Sequence, residues 1–573
     1  MKTLIIILAV LIIATASIGV STNTNKNSEK KNTEKYNSFS NKNISELIKE
    51  KKITSVFGVA ELFTFEKNIS ENDNASSFVT NASIINLKKK SLNQLLRSQE
   101  VNLIFNIPIA ENKILELELT QSFPLSEDFT LLRINSFGKE TKTHNPGLHY
   151  SGIIRGKENS IVSVSVFENF VMGIISDETG NYILGSIKNE DNSYSDKYIY
   201  YNDLDISVRN KFKCGVEGNE EMFIKAMKDA ENRSQEISSN DDISALPVKI
   251  YFEADYQMFL DGQNNTQNVS NFITGMFNSV KTIYQNESIP IVISSIGIWT
   301  VSDPYRNLTD PFDILASFGR FNQNDFQGNL AHLLSTRNEG LGGIAWIRVL
   351  CADYNAQDFS GRYAFSNIDP GYNNYPTYSW TINVVAHEMG HNFGSRHTHS
   401  CVWPVAGGSI RAIDSCYTAE GGCFPNPRPR VGTIMSYCHL WSAAQGGGIN
   451  LSLGFGTLPG DTIRLRYNQA GCLRQELNSS EAPSSFSLAQ NFPNPFNPTT
   501  VIKFALPKES LVTLKVYDVN GRLVATLIEN KLHVAGFYDK SFNSSEFLLS
   551  SGIFFYKLET KDFTEVKRMV LVK

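Results

Sequence analysis

One stretch constrains this chain more than any other, and it reads His-Glu-Met-Gly-His-Asn-Phe-Gly-Ser-Arg-His from His387 to His397. Residues four apart lie on one face of an α-helix, so His387 and His391 can present their imidazole nitrogens to a single metal ion. Gly394 can adopt the left-handed conformation that ends a helix, and the chain can then turn back to bring His397 to the same ion. Three neutral imidazoles leave a fourth position open for water, which is typical of a catalytic zinc site.

Glu388 follows the first of these histidines directly and is the candidate general base. The pattern H-E-x-x-H alone also occurs by chance on exposed helices, but the added glycine and third histidine make chance a poor explanation. The residues ahead of it, Thr381–Ala386, form a mostly apolar run that indicates a buried helix. We therefore predict one zinc ion held by His387, His391 and His397, with a decayed or purely structural metal site as the alternative.

The chain begins with features typical of export. Lys2 precedes an apolar run from Leu4 to Ala14, and small residues follow, so residues 1–20 are predicted to be a signal peptide. The run is too short to span a bilayer comfortably, and we expect no transmembrane segment in the mature chain. The length of 573 residues suggests roughly three to four domains. The net charge of −5 gives no indication of nucleic-acid binding.

The region before the histidines changes character several times. Residues 21–43 are rich in Asn, Ser, Thr, Lys and Glu and are expected to form a flexible leader. Residues 44–201 contain short runs of alternating apolar and polar residues and predict a β-rich domain. The segment 202–240 is polar and carries Cys214, the only cysteine outside the region that follows. Its thiolate could occupy the open position on zinc; a free thiol or an irregular pairing is the alternative.

Residues 241–477 show a different pattern, in which predicted strands alternate with predicted helices. Strands are expected at 246–256 and 289–299, with a helix at 272–284 between them. This order implies parallel strands in a sheet covered by helices. Further along the chain we expect a helix over 325–336 and a strand over 343–350.

A methionine follows the histidines in Gly432-Thr-Ile-Met-Ser-Tyr-Cys438. Together with H-E-x-x-H-x-x-G-x-x-H, it resembles the metzincin metallopeptidases, in which a methionine in a tight turn lies beneath the zinc site. Three further stretches resemble the reprolysin (adamalysin, ADAM-like) family of metzincins: Lys213-Cys-Gly-Val216, Ala254-Asp-Tyr256 and Gly343-Ile-Ala-Trp346.

The resemblance implies an α+β multidomain protein whose metzincin catalytic domain, 241–477, has a twisted and mostly parallel sheet with helices. A β-rich propeptide, 21–240, would keep it latent through a cysteine switch at Cys214. Met435 would be the turn methionine. Protein or peptide substrates would lie extended along an edge strand formed by Gly343, Ile344, Ala345 and Trp346.

Two departures limit this resemblance. Many animal members have Asp after the third histidine, where this chain has Thr398. Their calcium-binding Glu would align with Lys249, so no structural Ca²⁺ site is predicted. Tyr437 resembles a tyrosine that other metzincins use as an additional zinc ligand, and a packed core tyrosine is the equal alternative. His399 and His439 are expected to lie near the site without binding the ion.

Six cysteines remain in the region 246–475, enough for three disulfides in an exported domain. Spacing alone does not decide the connectivity. The pairing that we expect joins Cys351 to Cys472, Cys416 to Cys423 and Cys401 to Cys438.

After a polar linker at 478–489, the last region is predicted to be a small β-sandwich with strands at 501–506, 512–517, 523–527 and 553–558. Gln490-Asn-Phe-Pro-Asn-Pro-Phe-Asn-Pro-Thr-Thr500 and the terminal Lys567-Arg-Met-Val-Leu-Val-Lys573 closely resemble the sorting domain of type IX secretion cargo, here 490–573. The resemblance implies a bacterial protein that the type IX machinery carries through the periplasm and outer membrane to the cell surface or medium.

Two functions from different classes follow from the sequence. The first is a secreted zinc metalloendopeptidase that is made as a latent precursor. The second is a surface adhesin or binding protein that keeps a metzincin domain as a scaffold. The intact Glu388 favours the first, because a scaffold has no need of a general base.

Overall fold

The computed structural model describes residues 42–207, 246–337, 340–368, 375–404, 408–441, 445, 447–473, 485–491, 493–534, 536–547 and 549–572. The chain divides into two compact units. The first unit contains an N-terminal domain, 42–207, and a central domain, 246–473, and the second is a C-terminal domain, 485–572. The predicted signal peptide, most of the leader and Cys214 lie outside the described residues.

The N-terminal domain consists mainly of strands, as its alternating sequence predicts. Its elements are α1 (Ile44–Thr54), β1 (Gly58–Ala60), β2 (Phe63–Asn68), β3 (Ala82–Leu87), α2 (Lys89–Ser98), β4 (Asn102–Ala110), β5 (Lys113–Ser122), β6 (Leu125–Asn135), β7 (Gly138–Lys142), β8 (Leu148–Ile154), β9 (Lys157–Val166), β10 (Val171–Asp177), β11 (Gly180–Lys188) and β12 (Tyr194–Asn202). Ten of the strands form one sheet in the order β1-β4-β5-β8-β9-β10-β11-β12-β3-β2. Strand β9 alternates, so that Val162, Val164 and Val166 enter the domain core while the serines between them face the other way.

The central domain contains β13 (Val248–Ala254), α3 (Tyr256–Asp261), α4 (Thr266–Asn286), β14 (Ile291–Trp299), α5 (Pro311–Asn322), β15 (Leu330–Ser335), β16 (Gly343–Ala345), β17 (Tyr363–Asn367), α6 (Tyr378–Asn392), β18 (Trp403–Pro404), β19 (Ile410–Arg411) and α7 (Thr457–Gln469). Its main sheet has the order β16-β17-β15-β13-β14-β6-β7. Strands β17, β15, β13, β14 and β6 are mutually parallel, while β16 and β7 run antiparallel at the two edges. The mostly parallel sheet predicted for this region is present.

Strands β6 and β7 belong to the N-terminal domain by sequence but to the central sheet by hydrogen bonding. Strand β6 pairs with β14, with Ile296 opposite Leu131 and Ile298 opposite Arg133. The sequence predicts a self-contained β-rich region here, because alternation identifies a strand without identifying its partner. The two domains therefore share one sheet.

The helix predicted over 325–336 is wrong. The structure has helix α5 earlier, where Asp310 accepts hydrogen bonds from two backbone N–H groups and Pro311 occupies the first turn. Residues Leu330–Ser335 form the inner strand β15, and all six are buried. A short apolar run that is buried on both faces has neither helical nor strand periodicity, so its sequence leaves the choice open.

Helix α4 lies between the central sheet and the ten-stranded sheet. Asn265 caps its start, and almost every residue from Val269 to Tyr284 is buried. The side facing the N-terminal domain carries polar side chains, among them Asn278, whose amide donates to the Tyr150 carbonyl (3.0 Å) and to the Ser163 hydroxyl (2.9 Å). The serines of β9 thus meet a polar face of this helix.

A second polar contact joins the β10–β11 hairpin to residues 449–452 of the central domain. The Asn181 amide donates to the Ile449 carbonyl (2.7 Å), and the Asn450 amide donates to the Asp177 carbonyl (2.7 Å). The N–H of Leu451 donates back to Asn181 (2.9 Å). These groups are buried, and each satisfied bond contributes on the order of 1 kcal/mol.

The C-terminal domain contains β20 (Ser487–Leu488), β21 (Thr499–Leu506), β22 (Ser510–Tyr517), β23 (Leu523–His533), β24 (Gly536–Asn543), β25 (Gly552–Glu559) and β26 (Thr564–Leu571). The strands form two sheets, β20-β21-β24 and β23-β22-β25-β26, whose buried side chains belong to one core cluster. The four predicted strands are present, while β24 and β26 were not predicted. Strand β20 lies inside the predicted linker 478–489, so the folded domain begins earlier than the sequence suggests.

Candidate metal centre

Helix α6 carries the first two histidines. His387 and His391 are both buried, and their ring centroids are 4.8 Å apart. The apolar residues of the first turns are buried too, as their sequence predicts. This buried helix is therefore a fixed platform for two imidazoles.

The helix ends just after His391. Gly394 has a φ of +98°, and its N–H donates to the His391 carbonyl (2.7 Å), while Ser395 donates to the Gly390 carbonyl (3.0 Å). The chain turns back at this point. As a result, Nε2 of His397 lies 3.1 Å from Nε2 of His391.

Each of the three imidazoles has its Nδ1 engaged by an acceptor. His387 contacts the Ile434 carbonyl (2.8 Å), His391 contacts the Ser395 carbonyl (2.8 Å), and His397 contacts the Glu420 carboxylate (2.9 Å). With the proton on Nδ1, Nε2 carries the lone pair that can bind a metal ion, and possible ligand atoms of the three side chains lie within 4.8 Å of one another. The donor set fits one zinc ion.

The environment also favours neutral imidazoles. Burial, with the neighbouring histidines, holds the pKa of His387 and of His391 well below the usual range. Burial likewise lowers the pKa of His397, although its hydrogen bond to Glu420 opposes that effect. The neutral imidazole is the form that binds a metal ion.

Met435, the predicted turn methionine, packs against helix α6 at the residue before His391. A Cβ atom on Gly390 of helix α6 would be 2.8 Å from Sδ of Met435, so the two residues are in close contact. The N–H of Thr398 donates to the Met435 carbonyl (3.1 Å), which joins the turn to the segment after the third histidine. The residue before Met435 supplies the carbonyl that orients His387.

Glu388 and the predicted edge strand also come together. Strand β16 is the terminal strand of the sheet beyond β17, and a Cβ atom on Gly343 would lie 2.5 Å from Oε1 of Glu388. The edge strand is shorter than predicted, because it contains Gly343, Ile344 and Ala345 only. Trp346 is buried, its carbonyl accepts from Asn392 (2.9 Å), and Arg348 and Val349 donate to carbonyls at the end of helix α6.

Comparison with known proteins agrees with this geometry. Residues 247–443 match the model of metallo-peptidase family M12, and residues 490–573 match the model of a secretion system C-terminal sorting domain. Residues 247–443 are an M12 metallo-peptidase domain. The C-terminal residues 490–573 are a secretion sorting domain.

Three relatives are similar to the chain at 24% identity. Two are disintegrin and metalloproteinase domain-containing proteins, number 19 of Mus musculus and number 9 of Homo sapiens. The third is the zinc metalloproteinase-disintegrin-like BmMP of Bungarus multicinctus. The alignments cover 53%, 56% and 50% of this chain. They cover only 32%, 41% and 46% of the relatives, so the chain spans less than half of each.

Glu420 is a residue of the M12 domain that the sequence did not single out. Its carboxylate contacts Nδ1 of His397 (2.9 Å), Nε2 of His399 (3.2 Å) and the hydroxyl of Ser400. Burial alone would raise the Glu420 pKa, but the hydrogen bonds from the two histidines hold it well below the usual range. No fixed spacing relates Glu420 to the zinc pattern, so no sequence signal identified it.

The other aromatic residues at the site are close neighbours of the ligands. The buried ring of Tyr437 lies 4.9 Å from that of His397 and 4.6 Å from that of His399. The ring of His439 lies 5.6 Å from that of Tyr437 and 5.3 Å from that of Trp380. His399 lies outside the group His387, His391 and His397, but His397, His399 and Glu420 form a second group whose ligand atoms lie within 4.8 Å of one another. That His399 and His439 leave the ion unbound, and that Tyr437 acts on it, stay predictions.

The disulfides differ in part from the expected pairing. Cys351 bonds to Cys472, as expected. The other two expected pairs are wrong, because Cys401 bonds to Cys423 and Cys416 bonds to Cys438. The loop after the ligands folds back through a backbone pairing of Ser400 with Glu420, and this brings Cys423 rather than Cys438 to Cys401.

Two further predicted features have different outcomes. Lys249, at the position expected to replace a calcium ligand, forms an exposed ion pair with Asp128 of strand β6 (2.7 Å). Cys214 lies outside the described residues. Of the helices that the structure describes, none has the length and apolarity to cross a membrane.

Proposed function

We propose that this protein is a secreted zinc-dependent metalloendopeptidase made as a latent precursor. The observation that carries the proposal is the convergence of three oriented imidazoles with Glu388 beside an edge strand. The M12 domain and the sorting domain support the same function. Export by a type IX system through the periplasm and outer membrane of a bacterium is the route that the sorting domain favours.

In this mechanism His387, His391 and His397 would hold a zinc ion through their Nε2 atoms. The bound ion supplies Lewis acidity toward water and toward the scissile carbonyl. A peptide substrate adds as an extra strand to β16, which fixes its backbone beside Glu388. The Glu388 carboxylate accepts a proton from the attacking water and delivers it to the leaving amine. Gly343, having no side chain, allows substrate and carboxylate to approach each other.

We further propose that residues 21–240 serve as the propeptide and that Cys214 caps the zinc ion. Contacts of the N-terminal domain on both sides of the site support this role. Phe78 stacks on Tyr375 (4.8 Å between centroids), and Tyr201 donates to the Pro376 carbonyl, just before helix α6 begins. The hairpin contact to residues 449–452 lies beyond the methionine turn. The C-terminal domain would be a small β-sandwich that is read by the secretion machinery.

The test is hydrolysis of casein by the processed protein. Chelation should abolish cleavage, and Glu388→Ala should lower kcat by about 100- to 10,000-fold with zinc still bound, since it removes only the proton acceptor. Zinc content is measured alongside the rate. Zinc-loaded, processed protein that cleaves nothing would contradict the enzyme and favour the adhesin.

A further inference from the structure

The three histidines of the metal centre are not oriented in the same way. His387 and His391 donate to backbone carbonyls, which the turns at Ile434 and Ser395 hold in place. His397 instead contacts a side-chain carboxylate, that of Glu420. The third ligand is thus the one whose orientation depends on a single replaceable side chain.

The position of Glu420 is itself fixed by its surroundings. Its N–H donates to the His399 carbonyl (3.0 Å), and its carbonyl accepts from the N–H of Cys401 (2.8 Å). The disulfide of Cys401 with Cys423 closes the loop that carries it. The hydroxyl of Ser400 donates to Oε2 of its carboxylate, and Nε2 of His399 lies 3.2 Å from Oε1, the oxygen that His397 contacts.

We infer that Glu420 is a positioning residue of the metal centre, holding His397 as the Nδ1-protonated tautomer with Nε2 directed at the zinc ion. A carboxylate in this place also makes the imidazole a more basic ligand than a carbonyl does. Thr398, next to His397, does not supply such a group, because its hydroxyl points to the Met435 carbonyl (3.3 Å). The carboxylate comes from another part of the chain, 23 residues beyond His397.

This inference rests on the proposed zinc site, and Zn²⁺ affinity tests it directly. Competition with a chelator on the protein as secreted should show that Glu420→Ala weakens Zn²⁺ binding by about 10- to 100-fold. Glu420→Gln keeps the size and one acceptor oxygen but loses the charge, so its loss should be smaller. Zn²⁺ affinity should therefore fall in the order wild type, Glu420→Gln, Glu420→Ala. Co²⁺ substitution should give a changed visible spectrum for Glu420→Ala, since the geometry of one ligand is altered.

Glu253→Gln is the matched control. Glu253 is a buried carboxylate of the same domain that accepts hydrogen bonds from Tyr251, Trp299 and Tyr305, each at 2.7 Å. The control should lower the Tm and leave Zn²⁺ affinity unchanged.

Glu420 variants that lower the Tm while binding Zn²⁺ like the wild type would overturn the inference. If Glu420→Ala does not fold, the isosteric Gln variant decides alone. A wild-type protein that binds no Zn²⁺ would instead overturn the proposed function.

Discussion

Gly343 allows the carboxylate of Glu388 to lie directly against the first residue of strand β16. An added Cβ atom would be 2.5 Å from Oε1 and 2.8 Å from Cδ of a fully buried side chain. The φ of Gly343 is outside the left-handed region, so alanine brings only this contact and no backbone strain. A glycine is required at this position because the Glu388 carboxylate lies against it, and not because the backbone forms a turn.

Gly343→Ala should therefore displace the general base while the ligands stay in place. A shift of about 1 Å at a reacting group costs on the order of 100-fold in rate. We expect kcat/KM for a peptide to fall by about that factor, with zinc content unchanged. Gly319→Ala, in helix α5, is the control, since its Cβ would have no neighbour closer than 3.3 Å. Equal rates in Gly343→Ala and wild type would contradict the role of this contact.

At the scale of elements, two disulfides of the central domain have different roles. Cys351–Cys472 closes a long loop, with a sequence separation of 121, while Cys401–Cys423 closes one with a separation of 22. On loop entropy alone the first stabilises the fold by about 5 kcal/mol and the second by about 3 kcal/mol. Only the second holds the loop with Glu420.

Replacing both cysteines of one pair by serine should distinguish the effect of each disulfide on Zn²⁺ affinity from its effect on the free energy of unfolding. The Cys401/Cys423 variant should lose Zn²⁺ affinity, because the loop that positions Glu420 loosens, and the Cys351/Cys472 variant should lose more unfolding free energy. Denaturant titration and chelator competition measure the two quantities. If both variants lose Zn²⁺ to the same extent, the disulfides act only through overall stability.

The same elements show how far sequence alone reaches. The convergence of His387, His391 and His397 could be predicted because they lie within one short stretch, where helix period and a glycine turn fix their relation. The contact of Glu420 with His397 depends on a loop whose disulfide pairing the sequence leaves open. The sequence predicts a helix where strand β15 lies, because burial on both faces removes the periodicity that distinguishes a strand from a helix.

At the scale of the whole molecule, the first unit depends on the sharing of one sheet by two domains. Strand β14, Ile-Val-Ile-Ser-Ser-Ile-Gly-Ile-Trp, has no charged residue and no proline, and all nine residues are buried. Strand β6 pairs with one of its sides. Without the N-terminal domain, β14 would be an exposed apolar edge, which is a site of aggregation.

Residues 246–473 produced alone should therefore aggregate, and residues 42–207 added as a separate polypeptide should keep them soluble by restoring β6. The buried hydrogen bonds of Asn181 and Asn450 would be regained in the same complex. Light scattering and size-exclusion chromatography measure the outcome.

Removal of residues 485–573 is the matched control, since these belong to the other compact unit and their loss should leave the first unit soluble. A monomeric, folded 246–473 fragment would show that the shared sheet is dispensable once the M12 domain is made. In that case, cleavage between the two domains would release the N-terminal domain. If the fragment aggregates, we expect the N-terminal domain to stay bound to the central domain after cleavage.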